Sequence, residues 1–362
     1  MTDLNLSDFV LHVGIDVAST KASVAWVRPN PYQESAKATD ISLTPNGLAS
    51  LRQLLAALHP DLSAIHITLE VTGNYHIRLA HFLHEQGCVL SVINPIQSRR
   101  YAEVFLQREK TDAIDALALA RMGAQVTLKQ WTPPPPLYEE LQQRVMQRAA
   151  LVKMHTEVLN RHKSREYRII AIESVDTRSK ELMLVIKRQI EQIEKEFMLV
   201  LKQDESWAAS ARRIVSIPGV GISTAAWLIM LTQNFTTCDS PEQLASFIGL
   251  VPHRQQSGTS LNTFTSIGHV GHDDVRHHLY VATMSCLHYN PLIRAFYDQV
   301  KARRKSHRLA CIAAERKLIH LIWALAKGDQ LFDPAYAAKD QAAPSPLDKE
   351  IATEAESGTL PV

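Results

Sequence analysis

Hydrophobic and polar positions over residues 10 to about 125 follow the spacings of short strands and amphipathic helices. The apolar run at 13–17 predicts a buried strand, and residues 22–27 predict a second strand that runs back beside it. The same pattern predicts, in chain order, a helix over 45–58, a strand over 65–70, a helix over 75–86, a strand over 88–93 and a helix that begins at Pro95. Strand and helix signals that alternate in this way predict an α/β domain with a mixed sheet.

The pattern changes after residue 131, where Thr132 is followed by four prolines. A proline run is a stiff spacer and marks a domain boundary. Apolar residues then recur every three or four positions over 141–159 and 186–200, with a break near 174–176. This spacing predicts two long helices, which form either a hairpin packed within one subunit or a coiled coil between subunits.

The remaining part begins near Trp207 and is predicted to be mainly helical. Residues 214–226 have the pattern of a helix-hairpin-helix, in which Gly219 and Gly221 expose backbone N–H groups and the second helix favours a phosphate at its N-terminus. A plain glycine turn between two core helices is the competing interpretation. The predicted domains are 1–131, 132–206 and 207–333, followed by a disordered tail over 334–362.

Four acids are the first candidates for chemistry. Asp16 and Glu70 each end a predicted strand, whereas Asp112 and Asp115 stand three residues apart at the start of an alanine- and leucine-rich helix that Thr111 can cap. A carboxylate at the end of a buried strand is costly unless it meets a cation. The set suits hard divalent cations, and two such ions can serve phosphoryl transfer. Taken singly, each acid could equally be a turn cap, a solvated side chain or a favourable charge at a helix N-terminus.

A hydroxyl group is the second candidate. Ser257 precedes Gly258 in a polar loop, and Arg254 is close to it in the chain. An accessible serine can act as a nucleophile while an arginine neutralises the phosphate. Serine before glycine is also common in ordinary turns, and Ser260 is near enough to be the nucleophile instead.

Histidines at 269, 272, 277 and 278 have a spacing that could suit zinc. However, residues 273–276 resemble the start of an amphipathic helix after a glycine turn. We favour a helix start at which Arg276 contacts phosphate over a zinc site.

The net charge of +2 at pH 7 conceals an uneven distribution. Residues 329–362 carry −5, so the rest of the chain carries +7, with +5 over residues 144–168 and +6 over 294–317. Concentrated basic segments indicate either a surface for a polyanion or solvated helix faces.

The sequence has no run of 18 apolar residues and no basic leader, so we expect neither a membrane span nor export. The four cysteines show no CxxC spacing and are expected to be reduced. These features indicate a cytoplasmic protein.

Five segments resemble motifs of the DEDD-type transposases of bacterial insertion sequences and the related pilin-gene invertases. They are GIDV at 14–17 with Lys21, LEVTGNY at 69–75, KTDAIDA at 110–116, IPGVG at 217–221, and GLVP at 249–252 leading to QSG at 256–258. The resemblance covers about residues 10–330 and rests on the joint order and spacing of these motifs. One departure is the sequence GHVGH at 268–272, where many relatives have a lysine-glycine-asparagine turn.

The resemblance implies a RuvC-like, RNase H-type first domain in which Asp16, Glu70, Asp112 and Asp115 bind Mg²⁺. It also implies a transposase domain whose serine, here Ser257, attacks DNA and forms a covalent phosphoserine link. The implied partners are donor and target DNA, a structured noncoding RNA that pairs with both, and further copies of the chain in a dimer or tetramer. The residues expected to contact nucleic acid are Lys21, Lys110, Gly219, Gly221, Arg254 and Arg276.

Three other functions fit parts of the pattern. A RuvC-like junction nuclease would need the acids but would use water in place of Ser257. An actin-like ATPase or sugar kinase would use residues 16–21 as a phosphate loop, yet the sequence shows no second glycine-rich phosphate loop. A structural nucleic-acid binder would need none of the acids.

Overall fold

The computed structural model describes residues 3–29, 32–34, 38–71, 73–104, 111–251, 254–257, 261–264, 271–304 and 306–334. At residues 29, 32–34, 254–257 and 261–264 it describes the backbone alone. The chain divides into two units, residues 1–134 and 135–362, so the division falls within the proline run. The predicted disorder of the tail concerns residues that, except for residue 334, lie outside the described ranges.

The first unit is built on a mixed sheet, as the alternating pattern predicted. Its strands are β1 Leu11–Val17, β2 Lys21–Pro29, β3 Tyr32–Glu34, β4 Thr39–Ser42, β5 Ile65–Glu70 and β6 Val89–Ile93. The strand order is β3-β2-β1-β5-β6, and β4 also pairs with β2. Strands β2 and β1 are antiparallel, whereas β1, β5 and β6 run parallel to one another.

Four helices accompany this sheet: α1 Pro45–Leu58, α2 Tyr75–Glu85, α3 Pro95–Val104 and α4 Asp112–Gln125. The first begins and ends at the predicted residues, because Thr44 caps it by accepting from the amide of Gly47 and Pro45 suits its first position. One side of β1 is fully apolar and packs with buried leucines of α1 and α2. On the other side, Gly14 lets α4 approach closely, since a Cβ on Gly14 would lie 2.0 Å from the carbonyl oxygen of Ala116.

The second unit is mainly helical. Its elements are α5 Pro136–Ser164, α6 Glu173–Leu201, α7 Glu205–Val215, α8 Ile222–Leu231, α9 Pro241–Ile248, β7 Arg254–Ser257, β8 Leu261–Phe264, α10 Asp273–Tyr289, α11 Pro291–Arg304 and α12 His307–Lys327. Strands β7 and β8 form an antiparallel hairpin. In the described ranges of the chain, no helix is both long and apolar enough to cross a membrane.

The two long helices α5 and α6 form a hairpin. Leu141, near the start of α5, and Phe197, near the end of α6, belong to one core with α7–α12. The interruption between them lies at 165–172, so the predicted position of the break was wrong. Residues 174–176 instead form part of the first turn of α6, where Asp176 is favoured by the helix dipole. At the far end, Tyr167 and Ile169 are almost fully exposed, with relative exposures of 88% and 102%.

All four cysteines are free and buried. Cys88 lies in the first unit, and Cys238, Cys286 and Cys311 lie in the second. Burial in apolar surroundings raises the pKa of Cys88 to about 11 and that of Cys286 to about 12.

Candidate functional site

Polar side chains stand in a row across the sheet where β1 and β5 end. Asp16 of β1 is paired with Ser23 of β2, which is in turn paired with Asp40 of β4. Glu70 ends the parallel neighbour β5 and lies on the other side of Asp16. Because paired residues of adjacent strands point to the same face, this row places three acids on one face of the sheet.

The other two predicted acids come from α4. Thr111 caps this helix by accepting a hydrogen bond from the amide of Ile114 at 3.3 Å, so Asp112 and Asp115 fall in its first turn. Gly14 lies two residues before Asp16 and therefore faces the same side of the sheet. The close approach of α4 to Gly14 brings this first turn towards the end of β1 at which Asp16 lies.

The electrostatic environment of Asp16 reflects this gathering. Burial, followed by the negative charges of Asp115, Asp112 and Glu70, raises the pKa of Asp16 from 3.8 to about 6, while the backbone amide of Val17 opposes the shift. The other three predicted acids are thus close enough to Asp16 to disfavour its charged form.

In this structure the four acids do not have the spacing of metal ligands. Within the described part of the chain, no three His, Cys, Asp or Glu side chains are arranged to hold a metal ion. Glu70 accepts a hydrogen bond of 2.6 Å from the hydroxyl of Ser98, and Asp112 lies 3.2 Å from the ammonium of Lys21. The donor set nevertheless fits a hard divalent cation, because it consists of carboxylate oxygens whose mutual repulsion such a cation would relieve.

Lys21 bridges two acids of the site. Its Nζ lies 3.2 Å from Oδ2 of Asp112 and 3.2 Å from Oδ2 of Asp40. The hydroxyl of Ser23 donates to the other oxygen of Asp40 at 2.5 Å. The hydrogen bond from Ser23 and the ammonium of Lys21 lower the pKa of Asp40, and the two acids raise the pKa of Lys21.

Asp40 was missed by sequence reasoning. It follows a segment with no clear periodicity, and nothing in the local pattern relates it to Asp16. Only the register of β4 on β2 reveals that it belongs to the row.

The predicted glycine turn lies between α7 and α8. Gly219 has φ of +96°, and a Cβ there would lie 2.6 Å from the amide nitrogen of Cys286, so glycine is required both by the left-handed conformation and by packing against α10. Gly221 precedes the first turn of α8, has no side-chain cap and has open space around its would-be Cβ. Of the two glycines, Gly221 therefore has room for a phosphate.

Ser257, the serine predicted as the nucleophile, is the last residue of β7 and pairs with Leu261 in the β7–β8 hairpin. Of Ser257 and Arg254 the structure describes the backbone alone, and Lys110, Ser260 and His269 lie outside the described residues. The described histidines whose spacing could suit zinc, His272, His277 and His278, do not form a metal site with other described residues.

Arg276 was expected to contact phosphate, but its guanidinium is turned into the protein. Only 15% of its side chain is exposed, and the guanidinium pairs with Asp273. One of its nitrogens donates to the carbonyl oxygen of Ile248 at 3.0 Å.

Comparisons with known proteins bear on both units. A family model for a transposase, DEDD_Tnp_IS110, matches residues 13–165. A second model, described as transposase of the IS116/IS110/IS902 family, matches residues 211–298. Together they cover more than half of the chain and every candidate site residue named from the sequence, whereas residues 1–12, 166–210 and 299–362 lie outside both matches.

Individual relatives agree with the models. The pilin gene-inverting protein of Moraxella lacunata is 26% identical over 328 residues, which cover 89% of this chain and 97% of that protein. The corresponding Moraxella bovis protein is 26% identical over 336 residues with the same coverage. An IS110 insertion-element protein of Streptomyces coelicolor is 28% identical over 120 residues, covering 33% of this chain and 29% of its own.

Among solved structures, RuvC of T. thermophilus in complex with a Holliday junction substrate matches 34% of this chain and 99% of its own at 14% identity, with a TM-score of 0.24. A TM-score of that size does not establish a shared fold. The relatives are transposase and invertase proteins, so a junction nuclease that uses water is not the favoured function. Two family models match more than half of this chain, and the two Moraxella proteins match it along most of its length. This chain therefore belongs to the IS110 family of transposases and pilin-gene invertases, enzymes that act on DNA.

Proposed function

We propose that this chain is the recombinase of an insertion sequence, which cuts and rejoins DNA strands through a covalent phosphoserine link. The first unit would act as an RNase H-like domain that holds divalent cations, and the second would carry the nucleophile. The observation that supports this most directly is the gathering of four acids at one end of the sheet, with the pKa of Asp16 raised to about 6 by burial and by the other three.

The residues that would hold the cation are Asp16, Glu70, Asp112 and Asp115, and we propose Mg²⁺ because all donors are carboxylates. When bound, Mg²⁺ neutralises charge on the phosphate and stabilises the attacking and leaving oxygens. Asp16 must be deprotonated for this role, so its ligand capacity grows as the pH rises above about 6. Lys21 neutralises part of the charge of Asp112 and holds the first turn of α4 to β4 through Asp40.

Ser257 is the proposed nucleophile. Its hydroxyl oxygen forms a bond to phosphorus, the bond from phosphorus to a deoxyribose oxygen breaks, and the serine proton passes to a base or to the leaving oxygen. Because one phosphodiester replaces another, the strands can be rejoined without ATP. Ser260 is the alternative nucleophile.

Nucleic acid would contact Gly221 at the start of α8, together with Lys110 and Arg254. The basic segments 144–168 and 294–317 support binding of a polyanion, which we propose includes a structured noncoding RNA as well as donor and target DNA. The exposed apolar residues at the end of the α5–α6 hairpin support self-association into a dimer or tetramer.

A plasmid carrying the ends of the element and its flanking DNA provides the test. We expect the wild-type chain to form a protein–DNA adduct that resists denaturant and requires a divalent cation. Ser257→Ala abolishes the adduct, and Asp16→Asn abolishes it at every concentration of the divalent cation. Ser260→Ala separates the two candidate serines, since it retains the adduct if Ser257 is the nucleophile and loses it if Ser260 is.

Two outcomes would contradict the proposal. Cleavage by a chain in which both serines are replaced would indicate water as the nucleophile. Sequencing of RNA that co-purifies with the chain tests the guide, and recovery of bulk cellular RNA without a discrete element-derived species would exclude it.

A further inference from the structure

The carbonyl oxygen of Ile248, the last residue of α9, accepts hydrogen bonds from residues that follow the β7–β8 hairpin in the chain. The final carbonyls of a helix have no partner within the helix. Here the oxygen of Ile248 accepts from the amide of His272 at 3.2 Å and from Nη1 of Arg276 at 3.0 Å. A guanidinium at a helix C-terminus also complements the helix dipole.

The two chain segments that meet at this carbonyl are those that enter and leave the β7–β8 hairpin. Gly249, with φ of +91°, ends α9 on the entering side. Gly271, with φ of +119°, lies on the leaving side, where a Cβ would be 2.4 Å from the oxygen of Ile248 and 2.8 Å from Nη1 of Arg276. Because residue 271 is glycine, its backbone can lie beside the oxygen of Ile248 and leave room for the guanidinium of Arg276 to donate to that oxygen.

The surroundings of Arg276 account for its charge without nucleic acid. Asp273 pairs with the guanidinium from the same helix. Glu315 of α12 is only 4% exposed and is near enough for Arg276 to stabilise its ionised form. A charged group with these partners and 15% exposure is placed to hold protein segments together.

We propose that Arg276 is a positioning residue, which fastens the two bases of the β7–β8 hairpin at the carbonyl of Ile248 and thereby sets the place of Ser257, without contacting nucleic acid. The link to Ser257 rests on the proposed function. The fastening itself rests on the contacts of Ile248, Gly271 and His272.

Hydrogen exchange on the full chain tests the fastening without reference to activity. In Arg276→Gln we expect the amide of His272 to exchange about tenfold faster or more. The Ile248 carbonyl, which accepts from this amide, loses its charge-assisted hydrogen bond from Arg276. Arg276→Lys, which keeps the charge and one donor, should show a smaller increase. Arg294→Gln is the matched control, since Arg294 is exposed and paired with Asp298 on the surface of α11.

DNA binding and adduct formation then separate positioning from phosphate contact. We expect Arg276→Gln to form the Ser257 adduct at least about tenfold more slowly once DNA is bound. Its affinity for a fluorescein-labelled mixed-sequence duplex, and the slope of that affinity with salt, should match the wild type.

The opposite results would overturn the proposal. Unchanged exchange at His272 would exclude the fastening. Weaker duplex binding with a salt slope lower by about one would show that Arg276 contacts a phosphate. If Ser257 proves not to be the nucleophile while exchange still accelerates, the fastening stands and only its link to the reaction fails.

Discussion

At the scale of single residues, burial is the main cause of a raised pKa in two acids, but the charges that surround them have opposite signs. Asp16 is half-buried and surrounded by other carboxylates, so a cation would relieve its repulsion. Glu315 is buried among apolar residues of the second unit, and its pKa is raised to about 7 by that burial, with Arg276 opposing the shift. The first environment suits a metal site, whereas the second affects stability.

Glu315→Gln should make the second unit less sensitive to pH. The folded chain holds a proton on Glu315 up to a pKa of about 7, above the ordinary value of 4.5, so this residue lowers the free energy of unfolding as the pH rises from about 4.5 to about 7. Relative to wild type, we expect the variant to gain on the order of 2 kcal/mol between about pH 5 and about pH 8. Urea unfolding at both pH values measures the difference.

The matched control is Glu205→Gln, because Glu205 is exposed on α7 and pairs with Arg212 on the surface. Its free energy of unfolding relative to wild type should change little with pH. Equal pH dependence in the two variants would contradict the role assigned to Glu315.

At the scale of elements, the contact between β1 and α4 determines where the acids of α4 lie. Gly14→Ala would place a methyl group against the backbone of Ala116 and Ala120. Because backbone atoms cannot rotate away, we expect a loss of about 2–3 kcal/mol in the free energy of unfolding. Denaturant unfolding measures it.

Gly221→Ala serves as its control, since a Cβ at Gly221 meets nothing within 4 Å. That variant should lose less than about 1 kcal/mol. A Gly14→Ala chain as stable as the control would mean that α4 does not pack as described.

Elements governed by local signals could be predicted from the sequence. The bounds of α1, the cap at Thr111 and the glycine turn before α8 all follow from residues next to one another in the chain. The end of α5 could not, because the exposed segment 165–172 is as apolar as the helices around it. Asp40 was missed because strand register is a long-range property, and the inward turn of Arg276 because surface and interior arginines look alike in sequence.

At the scale of the whole molecule, the C-terminal segment has a net negative charge and the rest of the chain has a net positive charge. Residues 335–362 carry five acids and two lysines. A chain that ends at residue 334 should bind a mixed-sequence DNA duplex about two- to tenfold more tightly at low salt, with a smaller difference at high salt. Fluorescence anisotropy over a salt series measures both.

A full-length chain whose tail acids are replaced by Asn and Gln separates charge from length. It should bind like the truncated chain. Binding equal to that of the wild type would show that the tail does not act through its charge.

The four buried thiols allow each half of the molecule to report its own opening. A thiol reagent can reach Cys88 only when the first unit opens. It can reach Cys238, Cys286 or Cys311 only when the second unit opens. Mass spectrometry of labelled peptides would therefore give two separate opening rates from one unmodified protein. Addition of a divalent cation that binds at the acids should slow labelling of the first thiol and leave the other three unaffected.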